Sequence, residues 1–220
     1  MWSEEQLNQG KKRNFGLGIN MIKTNTIEDN NYSVSYEYIP LTATDEQIAL
    51  AKEFGPKYAA KRLKTYEERN QDNLKNITNQ AISSKIFEFM IYNHVKDSVN
   101  SGEVIPPSCE IYTKPTFDDD LVVIGENKKI KIHVKSHDRK RIWRKRPLSW
   151  AFQKNDPLFK YKANDILVLG VYVNEREGHL IAKDYVHKFK SSLAPAKNTK
   201  LVSKEFVYFD SKNKAFSLRS

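Results

Sequence analysis

The sequence predicts an α/β (α+β) protein, and three stretches carry that prediction. Ile77–Val99 places apolar and small residues at spacings of three and four, the signature of a helix with one buried face. Phe117–Ser136 (FDDDLVVIGENKKIKIHVKS) reads as two strands joined by a Gly/Asn turn. Asp165–Val173 (DILVLGVYV) is the most apolar run in the chain and reads as a strand buried on both faces. The chain divides into an N-terminal arm and helical extension, residues 1–75, and a core with a C-terminal hairpin, residues 76–220.

Residues 1 to about 43 are rich in Asn, Thr and Lys, with one alternating segment, Ser33–Ile39, that reads as a strand. A helix starts near Thr44: Thr44 and Gln47 have capping-box spacing, and Asp45 and Glu46 suit the positive end of the helix dipole. Gly55-Pro56 is expected to break or kink it before Lys57–Asn70 resumes. On the next helix Ala81, Ser84, Glu88, Ile91 and Val95 share one stripe, so Glu88 lies among small and apolar neighbours. A carboxylate there is costly unless it meets a cation, a metal or a hydrogen-bond donor. Otherwise it snorkels to water from the stripe edge or pairs with a lysine.

Ser101–Pro107 is turn-rich and reads as a connector, with Cys109–Thr113 as the strand after it. In the hairpin that follows, strand alternation sends Ile130, Ile132 and Val134 to one face and Lys131, His133 and Lys135 to the other. Asp118, Asp119 and Asp120 stand at the mouth of the first strand, so a carboxylate there and a lysine on the second strand converge at the sheet edge. Leu148–Gln153 is aromatic, with Trp150 and Phe152 alternating with polar residues as core side chains do. Gly178–Phe189 reads as another strand, Ser191–Lys200 as a loop, and Glu205–Phe209 with Ala215–Leu218 as a terminal hairpin.

The 220 residues carry 37 basic and 27 acidic side chains, a net charge of +10 that favours a polyanionic partner, nucleic acid ahead of an anionic membrane surface. Lys128–Arg146 concentrates that charge beside the hairpin, with Asp138 its one acidic member. Lys131, Arg139, Lys140, Arg141, Arg144, Lys145 and Arg146 are the expected phosphate contacts, and Trp143 among them is placed to stack on a base. A solvated charged face is the plainer alternative. Cys109 is the only cysteine, which excludes an intramolecular disulfide and a cysteine-based zinc cage. Neither a secretory signal nor an apolar run of about 20 residues is present, so a soluble cytoplasmic protein is expected.

The hairpin resembles the PD-(D/E)XK nuclease superfamily, whose core sets an Asp at the start of one strand and an (Asp/Glu)-x-Lys triplet on the next. Asp120 matches the Asp position and Lys135 the Lys position, while His133 stands where the acidic residue belongs. Glu88 matches an inward Glu on the helix before the hairpin. The likeness covers roughly residues 75 to 190. It implies a restriction-endonuclease-like core, a central mixed sheet flanked by helices. It also implies metal-dependent hydrolysis of DNA phosphodiesters, with double-stranded DNA as partner, a homodimer as an open possibility, and no membrane association. Modest size and Lys/Asn-rich composition are in keeping with a phage or mobile-element nuclease. Mg²⁺, with Mn²⁺ as the alternative, is the implied cofactor. Asp120 is its central ligand, with Glu88, Asp119 and His133 as further ligands, and Lys135 orients the attacking water.

His133 leaves three outcomes open. Imidazole suits Mn²⁺, Fe²⁺ or Zn²⁺ better than Mg²⁺. A carboxylate can instead come from Asp118, Asp119, Glu110 or Asp138. Or the fold has kept DNA binding and lost catalysis. An RNA-directed nuclease stays open as well, because no base-reading motif is present.

Overall fold

The apolar run lies at the centre of the sheet. Ile166–Asn174 pairs in parallel with Lys129–Asp138 on one side and antiparallel with Glu177–Tyr185 on the other. The computed structural model describes residues 22–29, 32–68, 73–111, 120–126, 128–139, 148–195 and 204–209. In chain order these hold β1 (Lys23–Asp29), β2 (Tyr32–Leu41), α1 (Asp45–Glu67), α2 (Leu74–Ser98), β3 (Glu103–Ile105), β4 (Leu121–Ile124) and β5 (Lys129–Asp138). They continue with β6 (Ser149–Gln153), α3 (Pro157–Tyr161), β7 (Ile166–Asn174), β8 (Glu177–Tyr185), α4 (Val186–Lys190), β9 (Leu193–Pro195) and β10 (Lys204–Tyr208).

The result is a mixed α/β architecture with a 7-stranded mixed sheet in the order β1-β2-β8-β7-β5-β4-β3, and a second sheet of 3 strands, β6-β10-β9. Alternation along β7 shows how the layers are held. Val168 and Tyr172 join the apolar cluster under α1 and α2, which includes Ile86, Phe87, Met90 and Ile91. Leu167, Leu169 and Val171 join the opposite cluster, built with Trp150, Phe152, Phe159 and Phe189. A strand buried on both faces has no wet side for polar residues, which is why its sequence runs continuously apolar. Gly170, between Val168 and Tyr172 in the chain, lets the Phe87 ring of their cluster lie directly on the β7 backbone. Trp150 donates its indole N–H to the Gly170 carbonyl at 2.9 Å.

The capping box forms as read: Gln47 N–H donates to Thr44 Oγ1 at 3.3 Å, and Thr44 N–H to Gln47 Oε1 at 3.0 Å. The expected break does not occur, because α1 runs unbroken through Gly55-Pro56. Pro56 falls on the exposed side, whereas Gly55 is buried where a Cβ would run into the Ile82 side chain. Gly55 therefore serves close helix–helix approach rather than termination.

The strand ahead of the hairpin is also displaced from its expected place. Glu103–Ile105, inside the expected connector, forms β3 and pairs antiparallel with β4, while Cys109–Ile111 is not strand. Gly102, at φ 114°, turns the chain into β3 against the Ile124 carbonyl, a conformation that a Cβ forbids.

β10 does not depend on a terminal hairpin. It takes β6 on one side and β9, within the expected loop, on the other. Ala215–Leu218 lies outside the described residues, as do residues 1–21. From the N-terminal portion, β2 pairs with β8 and α1 packs on α2, so both are built into the same body as the hairpin. Among the described residues no helix is long and apolar enough to cross a membrane.

Candidate active site

Asp120 is fixed by the hairpin's own backbone. Its N–H donates to the Ile132 carbonyl at 3.1 Å, extending the β4–β5 ladder by one bond. Its Oδ2 accepts the Val134 N–H at 2.6 Å. The carboxylate is therefore held on the β5 backbone at Val134, the residue between His133 and Lys135 in sequence.

α2 brings Glu88 to the same place from the helix layer. Its neighbours Phe87 and Ile91 are fully buried and anchor the helix to the sheet, while Ser84, on the expected stripe, is exposed. Glu88 thus sits at the stripe edge, with 13% of its side chain exposed. Burial and then the charge of Asp120 push its carboxyl up to about 7, against the opposing pull of Lys85 and Lys135. Asp120 is raised too, by burial, and is held down in part by the Val134 N–H and by Lys135, His133 and Lys85. Lys85 and Lys135 thus act on both carboxyls and His133 on Asp120, which groups the five side chains around Glu88 and Asp120. Such shifts gather at functional sites, because burying two carboxylates together is unfavourable without a cation.

Two partners of these side chains are absent from the sequence reading. Lys85, itself 9% exposed, donates to Glu88 Oε2 at 2.5 Å and to the Ser108 carbonyl at 2.8 Å. Its Nζ lies 4.9 Å from the centroid of the Phe54 ring. The signal was its spacing three residues ahead of Glu88, which makes the two neighbours on a helix. The second is Asp165, at the head of β7, whose Oδ2 is 3.0 Å from His133 Nε2. Parallel pairing sets Ile132 beside Ile166, so a residue one place before β7 reaches the imidazole. The carboxylate that meets His133 is thus Asp165, while Asp118 and Asp119 lie outside the described residues. Glu110 is exposed, and Asp138 lies at the far end of β5.

Lys135 is exposed, its Nζ 5.7 Å from the Phe152 ring centroid. Of the expected DNA contacts, Lys131 lies on β5 at the site end. Arg139 follows the other end of β5, where its charge acts on Tyr36 and His179. Asp118, Asp119, Lys140, Arg141, Trp143, Arg144, Lys145 and Arg146 lie outside the described residues. Trp150 and Phe152 are core, at 3% and 1% exposure.

As donors for a hard divalent cation, Asp120 and Glu88 have the right chemistry: two buried carboxylates, the Asp120 charge acting on Glu88, with one Glu88 oxygen held by Lys85. Mg²⁺ is commonly held by one or two carboxylates, with water and phosphate filling its remaining positions. His133 fits less well, since its Nε2 is engaged by Asp165. Among the described residues no group of three or more His, Cys, Asp or Glu side chains is placed to hold a metal ion. No protein-family model, no curated protein and no solved structure matches this chain.

The raised Glu88 carboxyl has a consequence for stability. The folded state holds its proton up to about 7, against an ordinary value of 4.5, so this group's contribution is full below 4.5 and is lost as pH rises through about 7. The urea midpoint should accordingly carry a component that falls from about pH 5 to about pH 8. Asp120→Asn should flatten that component by removing the opposing charge, and an identical pH slope in the variant would contradict the coupling. His179 works in the opposite sense. Burial pushes it below its ordinary 6.5, so its contribution is lost as pH falls below that value, which makes the wild-type-minus-variant difference the quantity to read.

Proposed function

We propose that the protein is a metal-dependent endonuclease that hydrolyses DNA phosphodiesters at the Glu88–Asp120–Lys135 cluster, on a restriction-endonuclease-like core. The observation that carries this reading is the Asp120 carboxylate held on the Val134 N–H of the hairpin, next to the exposed Lys135 in sequence, with Glu88 on the helix layer feeling the Asp120 charge. The order α2, β3, β4, β5, helix followed by three strands, supports it as well.

In this reading Asp120 and Glu88 hold Mg²⁺ or Mn²⁺, which when bound supplies a water of lowered pKa and neutralises charge on the phosphate. Asp120 is oriented by the Val134 N–H, so its position is set before substrate arrives. Lys135 faces solvent, orients the attacking water and offsets the charge that develops on the phosphate oxygens. His133, steadied by Asp165, lines the site beside them. Net positive charge draws in the DNA, and Lys131 meets its backbone at the site end of β5.

The test is cleavage of supercoiled plasmid DNA with Mg²⁺ and separately with Mn²⁺, comparing wild type with Asp120→Ala and Lys135→Ala. Metal-dependent cutting that both variants lose is the expected result, and preference for Mn²⁺ would implicate His133. A second reading, a catalytically silent DNA-binding protein, is favoured by the side chains already engaging Glu88 and His133. Intact plasmid that is nonetheless retarded on a gel would select that reading.

A further inference from the structure

We propose that Lys85 is a built-in cation that competes with the divalent metal for Glu88, so that the site is charge-compensated before any metal arrives. This rests on the nuclease reading and deepens it. The ammonium donates to Glu88 Oε2 at 2.5 Å, and the pair is nearly sequestered, with side-chain exposures of 11% and 13%. A buried carboxylate beside a second one needs a positive neighbour, and Lys85 provides it. With both carboxyls ionised, the charges of Glu88 and Asp120 cancel those of Lys85 and Lys135.

Lys85 is also placed to give Glu88 up. The Ser108 carbonyl at 2.8 Å and the face of the Phe54 ring at 4.9 Å are two further acceptors for the same ammonium. When Glu88 turns to a metal, Lys85 keeps both and is not left as an unpaired buried charge. Metal loading is then an exchange of cations at Glu88. It is weak in the free protein and strengthened by the oxygens of a substrate phosphate, which ties metal occupancy to bound DNA.

The test is Mn²⁺ binding by isothermal titration calorimetry to the whole chain without DNA. It compares wild type, Lys85→Met, Lys85→Gln and the double variant Lys85→Met/Glu88→Gln. Lys85→Gln keeps a donor for the Ser108 carbonyl and guards against a Lys85→Met chain that fails to fold. Both single variants should bind Mn²⁺ at least about tenfold more tightly than wild type, because the uncompensated Glu88 carboxylate is relieved by the metal. Added Mn²⁺ should raise their melting temperatures more than that of wild type, and the double variant should lose the gain. If wild type binds Mn²⁺ and the single variants bind it no more tightly, Lys85 only supports the fold, and the inference falls while the nuclease reading stands. If none of the four binds Mn²⁺ at millimolar concentration without DNA, the inference falls, and the plasmid assay alone decides the metal-assisted reading.

Discussion

Asp120→Asn should lower metal-dependent DNA cleavage by roughly 10²–10³-fold while leaving the protein at least as stable as wild type. The two halves of this result have one cause. Asp120 and Glu88 are both buried, and the charge of Asp120 pushes the Glu88 carboxyl up. Asparagine has nearly the same shape, and its side-chain oxygen can still accept the Val134 N–H, so the hairpin keeps its bond. It removes the negative charge that opposes Glu88 and, with it, the anionic ligand. A residue kept for folding behaves the other way, losing stability first and activity only as a consequence. Plasmid cleavage rates and urea midpoints on the same preparations read both quantities. Stability lost together with activity would make Asp120 a structural group.

Phe87→Ala should cost about 3–5 kcal/mol of stability. The ring is fully buried on α2 and lies over two glycines of neighbouring strands. A Cβ at Gly170 would meet the ring and the His179 carbonyl, and one at Gly178 would come within 2.7 Å of Met90 Sδ and 3.0 Å of the ring. The ring thus fills a recess made by the absence of two side chains, and truncation leaves a cavity with little to collapse into it. Gly170→Ala should cost about 1–3 kcal/mol by overpacking. The double variant should lose less than the sum, because the added methyl enters space the ring has vacated. Urea denaturation gives all three values, and strict additivity would show that ring and strand do not meet as described. Phe87 precedes Glu88, so the contact that docks the helix also sets the height of the carboxylate over the sheet.

What was legible in the sequence were features that show within a few residues. The hairpin declares itself by its Gly/Asn turn and by alternation along Lys129–Lys135, and β7 by being apolar throughout. Trp150 and Phe152 reveal their burial by alternating with polar neighbours. What was not legible depends on partners far along the chain. Ser101–Pro107 looks like a connector because its Gly and Pro residues bracket three strand residues that are defined only by pairing with β4. Gly55-Pro56 looks like a helix stop, yet the glycine meets a neighbouring helix and the proline meets solvent. Lys85 reads as an ordinary helix-surface lysine until Glu88, Ser108 and Phe54 enclose it. Asp165 is brought to His133, 32 residues earlier, only by the parallel register of β5 and β7. Asp120, Glu88 and Lys135 are therefore visible locally, while Lys85 and Asp165, which meet Glu88 and His133, are not.

If the cluster performs chemistry on the DNA backbone, as proposed, Lys135 offers the most direct access to it. Unlike the carboxylates, Lys135 is exposed, so Lys135→Ala leaves the core untouched. The measurement is the single-turnover cleavage rate of wild type and Lys135→Ala at saturating DNA and metal, with DNA affinity read by gel retardation. The account predicts a rate lower by about 10²-fold or more with affinity changed only a few-fold. An unchanged rate, or a loss matched by an equal loss of affinity, would contradict it.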